Sequence, residues 1–135
     1  MSNMNRVTFE TFSFFDTGKH AFEKTEPERF YHGFVLGLIV DLQDRYVITS
    51  NRESGFGRYD VVIEPKEPEQ NDAYILEFKV HDADDEENLQ DTVAAALRQI
   101  EEKQYAAGLL ERGIVRERIH SYGFAFEGKK VLIGK

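Results

Sequence analysis

One seven-residue segment constrains this chain more than any other: Tyr74-Ile75-Leu76-Glu77-Phe78-Lys79-Val80. It is an apolar, β-forming run interrupted by an acid and a base two residues apart. Side chains alternate along a strand, so Glu77 and Lys79 share one face, while Leu76, Phe78 and Val80 share the other. An earlier run, Arg58 to Ile63, repeats the pattern with Asp60 among Tyr59, Val61, Val62 and Ile63. If the two runs form an antiparallel hairpin that turns near the middle of its connection, Asp60 and Glu77 face each other. Two carboxylates held together repel, and a cation between them relieves the repulsion. Hard divalent cations choose oxygen ligands, and Mg²⁺ commonly takes one or two carboxylates plus water and phosphate oxygens. Lys79 then lies beside the ion, where an ammonium orients a water or offsets charge developing on phosphorus. The same residues equally suit an edge strand with one solvated face, on which Glu77 and Lys79 make a weak surface pair.

The rest of the chain gives these strands a setting. Its 135 residues suit one domain, able to bury roughly two thirds of its unfolded surface. Residues 1–26 show no periodicity and read as an N-terminal arm. It carries an aromatic cluster at Phe9, Phe12, Phe14 and Phe15, and Met1 to Asn5 read as residues added to the natural sequence. Residues 27–135 read as the folded domain. Pro27, with acids in the first turn and apolar residues at Phe30, Phe34, Leu38 and Leu42, predicts a helix of about four turns. Strands are predicted at Arg45 to Ser50, Arg58 to Ile63 and Ala73 to Val80, with Pro65, Pro68, Asn71 and Asp72 in the last connection. Leu89, Val93, Leu97 and Ile100 hold helical spacing and predict a long helix to about Leu110, stopped by Gly113. Ile119 to Phe126 and Val131 to Ile133 are the last strands. The order α-β-β-β-α-β-β predicts an α/β fold, a mixed central sheet flanked by helices.

Charge and composition narrow the functional classes. The net charge is −8 at pH 7, which alone counts against a nucleic-acid binder. Six acids between Asp82 and Asp91, with no Lys or Arg among them, carry most of it; without them the balance is −2. That segment reads as a solvated loop and helix start, so electrostatics neither favours nor excludes nucleic acid. There is no cysteine, hence no disulfide framework and no thiolate chemistry. The longest apolar stretch, Phe34 to Val40, is too short to span a bilayer, and no signal peptide opens the chain. A cytoplasmic protein without a membrane partner is expected.

Asp60 followed by Glu77-Phe78-Lys79, with a helix before and a helix after, resembles the PD-(D/E)XK nuclease superfamily. A longer ordered set is more specific. It comprises Glu28 to Phe34, Ser50 to Asp60, Ile75 to Val80, Gln99 to Tyr105, and Tyr122 to Phe126. This set resembles the nuclease-like domain found at the C-terminus of bacterial AAA-ATPase-like proteins. The resemblance implies a restriction-endonuclease-like core. It implies Asp60 and Glu77 as ligands of Mg²⁺ or Mn²⁺, Lys79 as the catalytic lysine, and an ATPase module in the same or another chain. Tyr59 stands where the superfamily's name has proline.

The resemblance also implies an extra glutamate near the metal. Glu28, four residues before His32 on the first helix, and Glu53, in the polar loop before the Asp60 strand, both qualify, and Glu53 is preferred. The other reading of Glu28 and His32 is a helix-start acid and a hydrogen-bonded core histidine. Ser54, Arg58 and the amides of Gly55 and Gly57 suit a phosphate, because glycine lets backbone approach closely; a plain turn with a solvated arginine is the alternative. Gln99 and Tyr105 resemble a helix motif beside the active site of several exonuclease branches. Gln99 is expected to act there and Tyr105 to touch substrate or pack in the core. Lys103 is expected to meet phosphate or water, and His81 to lie at the surface. The function expected is metal-dependent hydrolysis of nucleic acid, DNA foremost, with a homodimer in view because two strands need two sites. The alternatives are a catalytically inactive regulatory module that binds nucleic acid or protein, and a protein-interaction domain using the acidic segment.

Overall fold

Pro27 opens helix α1 (Pro27–Leu42). Its ring presets a helical φ, and its missing N–H has no partner to lose in a first turn. The computed structural model describes residues 27–52, 58–128 and 130–135. The arm at 1–26, and with it Glu53, Ser54, Gly55 and Gly57, lies outside the described residues, as does the side chain of Glu28. After α1 come β1 (Tyr46–Arg52), β2 (Arg58–Pro65), β3 (Ala73–Val80), α2 (Leu89–Glu102), α3 (Tyr105–Glu111), a 3₁₀ turn at Arg116–Arg118, β4 (Ile119–Glu127) and β5 (Lys130–Gly134). This is the predicted α/β architecture. Among the described residues no helix is long and apolar enough to cross a membrane.

The strands form one sheet in the order β1-β2-β3-β4-β5. Neighbours are antiparallel except β3 and β4, which run parallel and are joined by the α2–α3 crossover. Parallel neighbours need a long connection, and the helical pair supplies it. β3 is therefore the central strand. Seven of its eight residues are buried, Glu77 and Lys79 among them. The solvated edge-strand reading of this segment is thereby overturned.

Alternation sorts the sheet into two faces. Tyr59, Val61, Ile63, Tyr74, Leu76, Phe78, Phe124 and Phe126 pack against Phe30, Phe34, Leu38 and Leu42 of α1. Phe78 stacks on Phe124 with ring centroids 4.6 Å apart and meets Phe34 edge-on at 5.6 Å. The opposite face carries Ile75 and Val62 under Ile100 of α2 and Leu109 of α3. This second core fills only part of its face, and the polar residues of β2 and β3 occupy the rest.

The predicted long helix is broken. α2 ends at Glu102, and Gln104 takes the left-handed conformation at φ 58° and ψ 36° before α3 begins. No glycine or proline marks the break, and glutamate, lysine and glutamine favour helix. A left-handed non-glycine residue costs about 1 kcal/mol. The compensation is tertiary: Lys103 and Tyr105, on either side of Gln104, both reach Asp60.

Candidate active site

The β2–β3 register sets Asp60 opposite Glu77 and Arg58 opposite Lys79. Partners in register share a face, and so do residues two apart, so the four side chains form a square of two cations and two anions. Both carboxyl side chains are fully buried. Directly opposed residues have Cβ atoms about 5 Å apart, and two like charges at such a separation repel by about 3 kcal/mol at an effective dielectric near 20. A buried pair of this kind needs positive charge beside it.

The same row of the sheet continues outward on both sides. On β1, Asn51 pairs with Asp60 and donates from Nδ2 to Oδ1 at 3.1 Å. Beneath them, on the α1 side, the Tyr31 hydroxyl donates to the backbone oxygens of Asp60 at 3.2 Å and Asn51 at 3.3 Å. Burial foremost, with Asp60 and Tyr59 nearby, pushes the Tyr31 phenol above its ordinary pKa. On the other side Gly123 pairs with Glu77, and Gly134 pairs with Gly123. Side chains there would block α2. A Cβ on Gly123 would sit 3.0 Å from the Val93 carbonyl oxygen, and one on Gly134 would sit 2.7 Å from Val93 Cγ1. Two glycines thus let α2 lie close over β4 and β5, and its C-terminal end comes over the acids.

That end supplies the counter-charge. Lys103 Nζ stands 3.2 Å from Asp60 Oδ2 and 3.5 Å from each carboxylate oxygen of Glu77. The Tyr105 hydroxyl donates to Asp60 Oδ2 at 2.8 Å. Asp60 thus accepts from Asn51, Tyr105 and Lys103.

Lys79 is held differently. Its Nζ lies 2.7 Å from Glu86 Oε2, and both side chains are 8% exposed. Glu86 comes from the acidic segment, whose Asp84, Asp85 and Glu87 face solvent as expected. Its other oxygen accepts from the Asp82 N–H at 2.8 Å and from the Thr92 hydroxyl at 2.7 Å. Because that hydroxyl spends its proton on Glu86, His81 Nδ1, 2.7 Å from the same oxygen, is the donor to Thr92. Burial alone would raise the Glu86 carboxyl. The Asp82 amide, the Lys79 ammonium and the Thr92 hydroxyl outweigh burial and hold it down at about 2. His81 is thereby part of a buried network, with a side chain only 7% exposed, not a surface histidine.

The structure brings Asp60, Glu77 and Tyr105 together, with Lys79 and Arg58 one step along the same face. Gln99 lies one turn before Lys103 on α2, and its Nε2 donates to Glu102 Oε1 at 3.3 Å. His32 is exposed on α1, not in the core. Sequence reasoning missed Asn51, Glu86 and the contact of Lys103 with both acids. Strand alternation carried back from Asp60 across the β1–β2 pair would have found Asn51. Nothing in a run of six acids marks which one turns inward.

Two buried carboxylates fit a hard cation by donor type. Among the described residues no cluster of three or more His, Asp or Glu side chains is placed to hold a metal. Were an ion to bind there, the described residues would offer it the carboxylates of Asp60 and Glu77.

Comparison with known proteins adds one finding. No curated protein and no solved structure matches the chain. The sequence profile of the PD-(D/E)XK nuclease superfamily matches residues 26–135, which include both strands of the acidic pair and the crossover helices above them. With most of its length in that match, the chain belongs to the PD-(D/E)XK nuclease superfamily.

Proposed function

We propose that this domain hydrolyses phosphodiester bonds in nucleic acid, DNA foremost, with Mg²⁺ or Mn²⁺ held by Asp60 and Glu77. The observation that carries this reading is the pairing of two fully buried carboxylates across β2 and β3 beside the Lys103 amine. A structural sheet gains nothing from opposed acids, whereas membership of a nuclease superfamily supplies a reason for them. When bound, the ion polarises a phosphate oxygen and acidifies a water.

The chain's own groups do the rest. Asn51 and Tyr105 fix the Asp60 carboxylate so that its free lone pairs keep one direction. Lys79, on the same face as Glu77, places positive charge where the phosphate gains negative charge on the way to the transition state. Glu86 limits the travel of that amine. Arg58, opposite Lys79, is assigned to a substrate phosphate. Ser54 is assigned a second phosphate contact, Glu53 a further carboxylate at the ion, Gln99 the orientation of substrate, and Tyr105 a substrate contact besides its bond to Asp60. An ATPase module as partner rests on the ordered motif set alone, a homodimer on the need to cut two strands, and cytoplasmic residence on a sequence without cysteine.

The test is cleavage of single-stranded, duplex and branched DNA, and of RNA, with Mg²⁺ or Mn²⁺. Lys79→Met and Asp60→Asn are compared with the unmodified domain, their folds checked by circular dichroism. Cleavage lost in both folded variants is the expected result. Full activity in Lys79→Met rejects the role of Lys79. The absence of any Mg²⁺ or Mn²⁺ binding that depends on Asp60 favours the inactive regulatory module instead.

A further inference from the structure

Lys103 stands where a divalent cation has reason to be. Its Nζ contacts Asp60 Oδ2 at 3.2 Å and is equidistant, at 3.5 Å, from both oxygens of Glu77. One ammonium thus spans the two carboxylates. It arrives from the rim: the side chain is 19% exposed, whereas both acids are fully buried. Its backbone lies at the α2–α3 break, next to the left-handed Gln104, so the residue is not fixed within a continuous helix. Lys79, the lysine next to Glu77 on the strand, is engaged by Glu86 at 2.7 Å.

From this arrangement we infer that Lys103 is a tethered counter-ion of the carboxylate pair and competes with the divalent cation for the same oxygens. The inference rests on the assignment of Asp60 and Glu77 as metal ligands. Without metal, the Lys103 ammonium neutralises the repulsion between the acids and keeps the β2–β3 pair intact. When a divalent cation occupies the carboxylates, two cations cannot share them, and the Lys103 side chain swings outward across the rim. The released ammonium then faces the side from which an anionic substrate approaches. The domain is thereby stable without metal, at the cost of weaker metal binding.

Lys103→Met keeps the length of the side chain and removes its charge. Mn²⁺ binding is measured by titration calorimetry, and thermal unfolding is followed with and without Mn²⁺. The variant is expected to bind Mn²⁺ about tenfold more tightly, the equivalent of one charge-assisted hydrogen bond. It is also expected to melt lower than the unmodified domain without metal, with the gap closing at saturating Mn²⁺. Unchanged or weaker binding by a folded Lys103→Met overturns the inference, as does a melting gap that Mn²⁺ leaves untouched.

Asp60→Asn separates the two levels of the argument. If it binds Mn²⁺ as the unmodified domain does, the metal assignment falls and the inference with it. If it loses binding while Lys103→Met gains none, only the inference falls. A measurement on the unmodified domain covers the case in which Lys103→Met does not fold. Amine acetylation followed by mass spectrometry should show Lys103 labelling rise several-fold with Mg²⁺, while exposed Lys130 stays constant. Equal labelling of Lys103 with and without Mg²⁺ overturns the inference.

Discussion

Glu86→Gln isolates the charge that holds Lys79. The Glu86 carboxyl sits at about 2 in the folded protein, against about 4.3 for an ordinary glutamate in an unfolded chain. A folded value below the unfolded one means that the ionised form stabilises the fold. That stabilisation is complete above the unfolded value and fades as pH falls toward the folded one. At about 1.4 kcal/mol per pH unit, the shift is worth about 3 kcal/mol at pH 7. The group's 8% exposure leaves little solvent to screen it. Glu86→Gln should therefore unfold in urea with about 3 kcal/mol less stability at pH 7, read by far-ultraviolet circular dichroism. The gap should narrow as pH falls, because the unmodified carboxyl becomes protonated and resembles the amide. By pH 3 about half of it should be gone. A gap that stays constant from pH 7 to pH 3 would refute the argument, since the loss would then come from shape and not from charge. The comparison also bears on the proposed chemistry. If Glu86 positions the Lys79 amine, Glu86→Gln should slow nucleic-acid cleavage even at temperatures where the variant remains folded.

Two further perturbations test how the site is placed. Gly123→Ala should cost about 1–3 kcal/mol by the same urea assay, because the added Cβ meets the Val93 backbone oxygen at 3.0 Å and Ala96 Cβ at 3.1 Å; an unchanged midpoint would mean that α2 is not seated on the glycine row. Tyr105→Phe removes the donor 2.8 Å from Asp60 Oδ2 and should cost about 1–2 kcal/mol. A variant as stable as the original would show that this bond contributes nothing to holding the crossover against the sheet.

The fold was legible because its signals are local and repetitive. Alternation in Arg58 to Ile63 and Ala73 to Val80 assigns each residue to a face without knowledge of neighbouring strands. The single register Asp60 to Glu77 then follows from where the hairpin turns. The break at Gln104 was illegible for the opposite reason. Every residue from Glu101 to Tyr105 is compatible with helix, and the left-handed turn gains its compensation only from contacts with a strand some 40 positions earlier in the chain. The inward turn of Glu86 was hidden in the same way, since its partners Lys79 and Thr92 lie in the strand before and the helix after.

Those two surprises bear on one question, namely which ammonium serves which acid. Reading the strand alone couples Lys79 to Glu77, because they are two apart on one face. In the folded chain the acids are neutralised crosswise: Lys79 answers Glu86, and Lys103 answers Asp60 and Glu77. Spacing within a strand identifies a face, but it does not identify a partner. The choice of partner depends on what the crossover lays over that face, and here the crossover brings both a lysine at the α2–α3 break and a glutamate at the entrance to α2. Motif spacing alone therefore pairs Asp60 with Glu77 across the strands and leaves the amines to be settled by the packing of the helices above them.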